Sequence, residues 1–251
     1  MKIAIISDIH GNLVALESIL SEAKEADKIV CLGDVAATGP QPRETIDFLR
    51  KTKWPCVMGN TDEKLAKSMP EDFKRPRMPE DERLRMVALD TWTTGQLDAP
   101  AIKFLSDFKP TIEIEAENNS IICYHGSPRS NREQILPTTD EKELTKIFGA
   151  MQASIYAGGH THTQMVRKLG RSIIINPGSV GLPYLTDESG RARNPVWAEY
   201  AMVTSTTDDL RIELRRSKYS LAALKDTVRK SGMPDPDWWL RDWIQPAELP
   251  R

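Results

Sequence analysis

Two hydrophobic periods alternate along the first sixty residues. Lys2 to Ser7 is a short β-branched run closed by polar residues, and from Asn12 to Ala26 the apolar positions Leu13, Leu16, Ile19, Leu20 and Ala23 recur at helical spacing. The alternation then repeats: Lys28 to Leu32 reads as a strand, Gly33 to Gln41 as a loop, Pro42 to Arg50 as a helix opened by proline, and Pro55 to Met58 as a third strand. A βαβαβ opening of this kind predicts a parallel, mostly buried sheet. Lys64 to Pro110 reads as helix and loop, punctuated by Pro70, Pro76 and Pro79, with Leu84, Val87, Ala88 and Thr91 on one helical face.

From Thr111 the period shortens. TIEIEA and SIICYH flank Glu117, Asn118 and Asn119 as a hairpin, Met165 to Leu169 and Arg171 to Ile175 flank Gly170 as a second, and Ala198 to Thr204 with Leu210 to Leu214 form a third. A last helix, Leu221 to Lys230, precedes a proline-broken tail, MPDPDWWLRDWIQP, that holds three of the six tryptophans. Trp239 and Trp243 stand four residues apart, and the tail is expected to pack onto the body or to form a contact between copies of the chain.

Composition narrows the function classes. The chain has 251 residues, 39% of them hydrophobic and 28% charged, which excludes disordered and low-complexity classes and permits one large domain, residues 1–251 with the tail 231–251 on its surface. Thirty-four basic against 36 acidic residues leave a net charge of −2, with no basic field to hold a polyanion, so nucleic acid is not an expected partner. Cys31, Cys56 and Cys123 each sit inside an apolar run without zinc-thiolate spacing and read as buried reduced thiols. The apolar start meets Asp8 and His10 too early for a signal sequence, and no run approaches the roughly 18 to 20 apolar residues of a membrane span. A cytoplasmic location with no membrane partner is the resulting expectation.

The chemistry is concentrated in a few loops. All four histidines lie in short polar loops directly after predicted strands: His10 in Asp8-Ile9-His10-Gly11-Asn12, His125 in His125-Gly126-Ser127, and His160 and His162 in Gly159-His160-Thr161-His162. Two more such loops carry Gly33-Asp34 and Gly59-Asn60-Thr61-Asp62. The carboxyl ends of parallel strands converge on one crevice, so these residues can meet although they are far apart in sequence. Each motif alone has an ordinary explanation as a turn or cap, but together they point to a metal centre. Imidazole with carboxylate and amide oxygen suits Mn, Fe, Zn, Co or Ni, and the lack of thiolate argues against a closed structural zinc site.

In order and spacing, Asp8-x-His10, Gly33-Asp34, Gly59-Asn60-x-Asp62, His125-Gly126 and Gly159-His160-Thr161-His162 resemble the calcineurin-like metallophosphoesterase superfamily, and most of all its small prokaryotic phosphodiesterases. Asn176-Pro177-Gly178-Ser179 resembles a loop common after the last of those motifs. The resemblance implies an α/β fold, a four-layer αββα sandwich with two mixed β-sheets and flanking helices. It implies two divalent transition-metal ions, one held by Asp8, His10 and His162, the other by Asn60, His125 and His160, with Asp34 bridging. Asp34, Asn60 and His125 would carry catalysis: hydroxide shared by two cations attacks the phosphorus of a small phosphodiester or activated phosphomonoester in line with the leaving oxygen. Asn12 and Arg129, and also Arg43, are the candidates for substrate contact. The alternative is a non-catalytic scaffold or binding protein of the same fold, as in the retromer subunit; a nuclease is disfavoured by the acidic balance.

Two departures refine this picture. Many superfamily members carry histidine after the motif asparagine, where Thr61 stands here, and a threonine hydroxyl is a poor general acid. Protein serine/threonine phosphatases place arginine soon after Gly-Asp, whereas this chain reads Gly33-Asp34-Val35-Ala36-Ala37-Thr38-Gly39. The expected cleft is therefore one for small substrates, with the helical segment after Lys64 on one wall.

Overall fold

The computed structural model describes residues 1–68, 78–149 and 151–245. In chain order the elements are β1 (Lys2–Ile6), α1 (Leu13–Glu22), β2 (Lys28–Cys31), α2 (Pro42–Thr52), α3 (Asn60–Ala66), α4 (Glu80–Gly95), α5 (Ala99–Ser106), β3 (Thr111–Ala116) and β4 (Asn119–Tyr124). They continue with α6 (Glu141–Phe148), β5 (Ile155–Ala157), β6 (Met165–Leu169), β7 (Ser172–Asn176), β8 (Leu185–Thr186), β9 (Ala192–Pro195), β10 (Trp197–Ser205) and β11 (Leu210–Lys218). The last are α7 (Leu221–Lys230), α8 (Pro236–Leu240) and β12 (Trp243–Ile244).

Two mixed sheets face one another. One has the order β11-β10-β1-β2 and the other β3-β4-β5-β7-β6, while β12-β9-β8 forms a small third sheet. Alternation decides what each strand does: Ile3 and Ile5 of β1 point into the layer between the sheets, where they meet Ile121, Cys123, Ile155 and Ile175, and Ala4 and Ile6 point the other way onto α1, α2 and α5. On the far side of the second sheet Ile122, Tyr124, Tyr156 and Ile174 pack against Leu144, Ile147 and Phe148 of α6. Helix, sheet, sheet and helix thus stack as the resemblance implies. The three thiols are buried and free.

Three readings of the sequence need correction. The first sheet is not a parallel one: β1 pairs parallel with β2, but β10 pairs antiparallel with both β1 and β11. Pro55 to Met58 makes only isolated bridges, one between Cys56 and Cys31 at the end of β2 and one between Val57 and Lys109, which precedes β3. On α4 the face read from the sequence is not the one that packs: Leu84 is 54% and Val87 36% exposed, while Leu89 and Thr93 are buried. The helix packs through Leu89 and Trp92 onto a cluster built by Val196, Leu224, Val228, Met233 and the tail residues Trp239, Leu240 and Trp243. Pro70 and Pro76 lie outside the described residues, as does the end of the tail. Among the described residues no helix is long and apolar enough to cross a membrane.

Candidate metal centre

The loops that follow β1 and β2 are laced together by backbone bonds before any side chain is considered. Asp8 N–H donates to Gly33 O at 2.9 Å, His10 N–H to Asp34 O at 3.0 Å and Gly11 N–H to Val35 O at 2.8 Å. Gly159 N–H reaches His125 O at 2.7 Å, and Val180 and Gly181 donate to Ser7 O and Asp8 O at 2.9 Å each. Five loops are tied together in this way at the strand ends. The backbone is strained where the chemistry sits: Asp8, His10, Asp34, His160 and His162 all have φ between 48° and 66°, five of the ten non-glycine residues with positive φ among those described. Two glycines allow the close approach. A Cβ on Gly59 would stand 2.1 Å from Asp34 Oδ1, and one on Gly159 would stand 1.9 Å from Ser7 Oγ.

Three imidazoles are oriented in the same way. His10 Nδ1 pairs with Ala37 O at 2.9 Å, His125 Nδ1 with Leu32 O at 2.7 Å and His162 Nδ1 with Leu182 O at 2.8 Å. A carbonyl accepts only, so each Nδ1 must carry the proton, and in a neutral ring the Nε2 lone pair is turned into the site. His10 Nε2 and His162 Nε2 stand 3.1 Å apart, and Asp8 Oδ1 lies 3.2 Å from His162 Nε2 and 3.7 Å from His10 Nε2. Asp8 Oδ1 is buried without a hydrogen-bond partner, while Asp8 Oδ2 accepts from His160 N–H at 3.0 Å. Lone pairs meeting lone pairs around an orphaned buried carboxylate oxygen form a set that a divalent cation completes.

A second set adjoins the first. His125 Nε2 lies 3.4 Å from Asp34 Oδ2, 3.1 Å from Asn60 Oδ1 and 3.9 Å from Asp8 Oδ1. Groups that could hold a metal are thus Asp8, His10 and His162 on one side and Asp8, Asp34 and His125 on the other, with Asp8 common to both. The His160 ring stands 5.2 Å from that of His125. Burial disfavours charge on Asp8 and Asp34, but the surrounding imidazoles, His162 foremost for Asp8 and His125 for Asp34, hold both carboxyls well below the usual range. Burial opposes protonation of His125, but Asp34 and Asp8 push it up to about 10, whereas burial and the nearby His125 lower His160. The site attracts positive charge strongly, and protons compete with any cation for it.

Asp62 has a supporting role that the sequence did not reveal. It is fully buried, and its carboxylate accepts from Asp34 N–H at 2.7 Å, Val35 N–H at 2.9 Å and Gly59 N–H at 3.1 Å, tying the Gly33-Asp34 loop to the start of α3. Burial and the Asp34 carboxylate push Asp62 up to about 7, against the pull of those N–H donors. Thr61 N–H donates to Asp34 Oδ1 at 2.9 Å, so α3 grips both ends of this aspartate. Asn176 holds the histidine loop in the same manner, donating to Gly159 O at 2.8 Å and Thr161 Oγ1 at 3.0 Å.

A cleft of about 670 Å³ opens over the floor, lined by His10, Asp34, Asn60, Thr61, His160 and His162. Lys64 and Asp90, which form an ion pair, stand in its wall together with Met86 and Leu89 of α4, as the sequence led us to expect for the segment after Lys64. Neither Asn12 nor Arg129 lines it. Asn12 is fully buried because it caps α1, accepting from Ala15 N–H at 3.1 Å and donating to Gly181 O at 3.1 Å. Arg129 is bound to Glu133 and Glu143 and lines a separate cavity of about 430 Å³. Arg43 is paired with Asp47 and Asp98.

Residues 1–204 match the model of the calcineurin-like phosphoesterase superfamily domain, and the chain belongs to that superfamily. The crystal structure of a metallophosphoesterase from Sphaerobacter thermophilus is similar over 96% of this chain and 97% of its own, with 28% identity and a TM-score of 0.70. A hypothetical protein from Pyrococcus horikoshii OT3 shares the fold over 93% of this chain and 94% of its own, at 21% identity and a TM-score of 0.73. An uncharacterized protein of Methanocaldococcus jannaschii is 26% identical over 257 residues, covering 95% of each.

Proposed function

We propose that this chain is a dinuclear metal-dependent phosphoesterase that hydrolyses a small phosphodiester or an activated phosphomonoester. The observation that carries the reading is the pair of adjoining donor sets around the unpartnered Oδ1 of Asp8. Asp8, His10 and His162 would hold one cation, Asn60, His125 and His160 the other, and Asp34 would reach both. When bound, the two cations supply an acidified water as nucleophile and offset charge on the phosphoryl oxygens. The chain's own residues do the rest. The Leu32, Ala37 and Leu182 carbonyls hold the three rings in one tautomer, and Asp62 and Thr61 fix the Asp34 loop so that little reorganisation accompanies reaction. Thr61 offers no acid to the leaving oxygen.

Manganese-loaded protein should hydrolyse bis(p-nitrophenyl) phosphate, and chelation should abolish that activity with recovery on reloading. Full metal occupancy without turnover of any diester or aryl monoester would leave the scaffold reading in its place.

A further inference from the structure

A chamber of about 200 Å³ adjoins the metal cleft and shares Thr38, Met86, Leu89 and Leu182 with it. Its other wall is the C-terminal segment, which lies beyond the matched family region: Trp238 and Trp239 of α8 and Trp243 of β12, with the charged Arg241 and Asp242 beside them. The rings of Trp239 and Trp243 stand 5.1 Å apart, inclined by 33°. The segment is anchored next to the donor set. Trp239 Nε1–H donates to Thr38 O at 2.7 Å, and Thr38 Oγ1 lies 3.0 Å from His10 Nδ1. Packing explains why Trp239 and Trp243 are buried, but it does not explain a cavity left between indoles and aliphatic side chains next to the metal cleft.

We propose that this chamber binds a planar aromatic ring carried by the substrate's ester substituent. The proposal rests on the phosphoester reading for the position of the phosphoryl group. Size and chemistry agree: an apolar cavity of roughly 150 Å³ suffices for benzene, and flat indole and thioether surfaces are suited to stacking a ring. The ring could belong to a simple aryl group or to a nucleobase.

Substrates with a common leaving group isolate the effect from leaving-group chemistry. For manganese-loaded protein, p-nitrophenyl phenyl phosphate and thymidine 5′-p-nitrophenyl phosphate are compared with p-nitrophenyl methyl phosphate. The ring-bearing diesters should show kcat/KM at least about tenfold higher, mostly through KM, a typical discrimination for a hydrophobic pocket. Preference for the thymidine ester over the phenyl ester identifies a nucleobase, and the reverse identifies a simple aryl group. Trp238→Leu should collapse the ring preference towards one. Met86→Trp, which fills the chamber from the opposite wall, should do the same if Trp238→Leu fails to fold.

Binding of phenylphosphonate and methylphosphonate, measured by calorimetry, provides a readout without turnover. Equal rates for ring and methyl diesters together with equal phosphonate binding would overturn the chamber and leave the phosphoesterase reading intact. Absence of any turnover with tighter phenylphosphonate binding, lost in Met86→Trp, would overturn the phosphoesterase reading and keep the chamber. Absence of both would overturn both.

Discussion

His125, Asp34 and Asn60 stand on one side of the site, against the sheet and α3, whereas Asp8, His10 and His162 meet on the other, against loops that the C-terminal segment reaches. On the first side every support is close at hand. His125 is fully buried on the Leu32 carbonyl just past β2, and Asp62, two residues along α3 from Asn60, grips the Asp34 loop through two backbone bonds and Gly59 through a third. On the second side the support comes from far away. His162 is oriented by Leu182, whose side chain packs on the tail cluster, and the Thr38 beside His10 is held by Trp239, 201 residues distant. One half is built into the sandwich and the other depends on what docks against it, so perturbing the tail should weaken one half selectively.

The comparison can be broken outright at Asp34. Asp34→Asn removes charge where the two halves meet, and turnover should fall by roughly a thousandfold, in keeping with the several kcal/mol that metal-centred charge stabilisation supplies. Both cations should bind more weakly, and the circular dichroism spectrum should not change because KIAII, KIV and SIIIN form their strands without the site. Near wild-type rates would remove Asp34 from the metal centre.

Asp62→Ala tests the sandwich-side half alone. It would leave three buried N–H groups without an acceptor, and unsatisfied donors of this kind cost about 1 to 3 kcal/mol each. A loss of about 3 kcal/mol in denaturant unfolding and a fall in activity of about a hundredfold are expected, the latter at the upper end for a residue supporting ligands. An unchanged unfolding midpoint would show that Asp62 holds nothing in place.

The histidines were legible because short polar loops after strands gather every imidazole in the chain, and sheet topology dictates that such loops converge. Asp62 was not legible as a support, since its partners are backbone N–H groups up to 28 residues away that no side-chain pattern encodes. Asn12 could have been recognised by its position just before the helical run that it caps, and Arg129 by the glutamate four residues on. The buried side of α4 was not legible because its partner, the tail cluster, assembles only in three dimensions; the face that is continuous in sequence is exposed at Leu84 and Val87.

Thr61 allows a finer test within the sandwich-side half. With no acid at this position, rates for a series of aryl and alkyl phosphodiesters should depend steeply on leaving-group pKa. Thr61→His should flatten that slope only slightly, with gains under about tenfold against the 10² to 10⁴ of a well-placed general acid, because both oxygens of Asp62 are occupied by backbone donors and cannot orient the imidazole. A shallow slope in the unmodified protein would mean that another group already delivers the proton.

The smallest expected effect lies on the other half. Trp239→Phe keeps an aromatic ring in the cluster but removes the bond to Thr38 O, and a neutral hydrogen bond contributes about 0.5 to 1.5 kcal/mol. One of two cations should bind between about two- and tenfold more weakly while the other is unaffected. Equal weakening of both would erase the distinction between the halves.

Metal content measured against activity decides whether the site works as a two-cation centre. Metal-stripped protein is titrated with manganese, bound metal is counted by elemental analysis and diester hydrolysis is followed at each step. Two cations per chain are expected, with the rate rising only as the second is taken up. Saturation of the rate at one cation per chain would contradict this expectation.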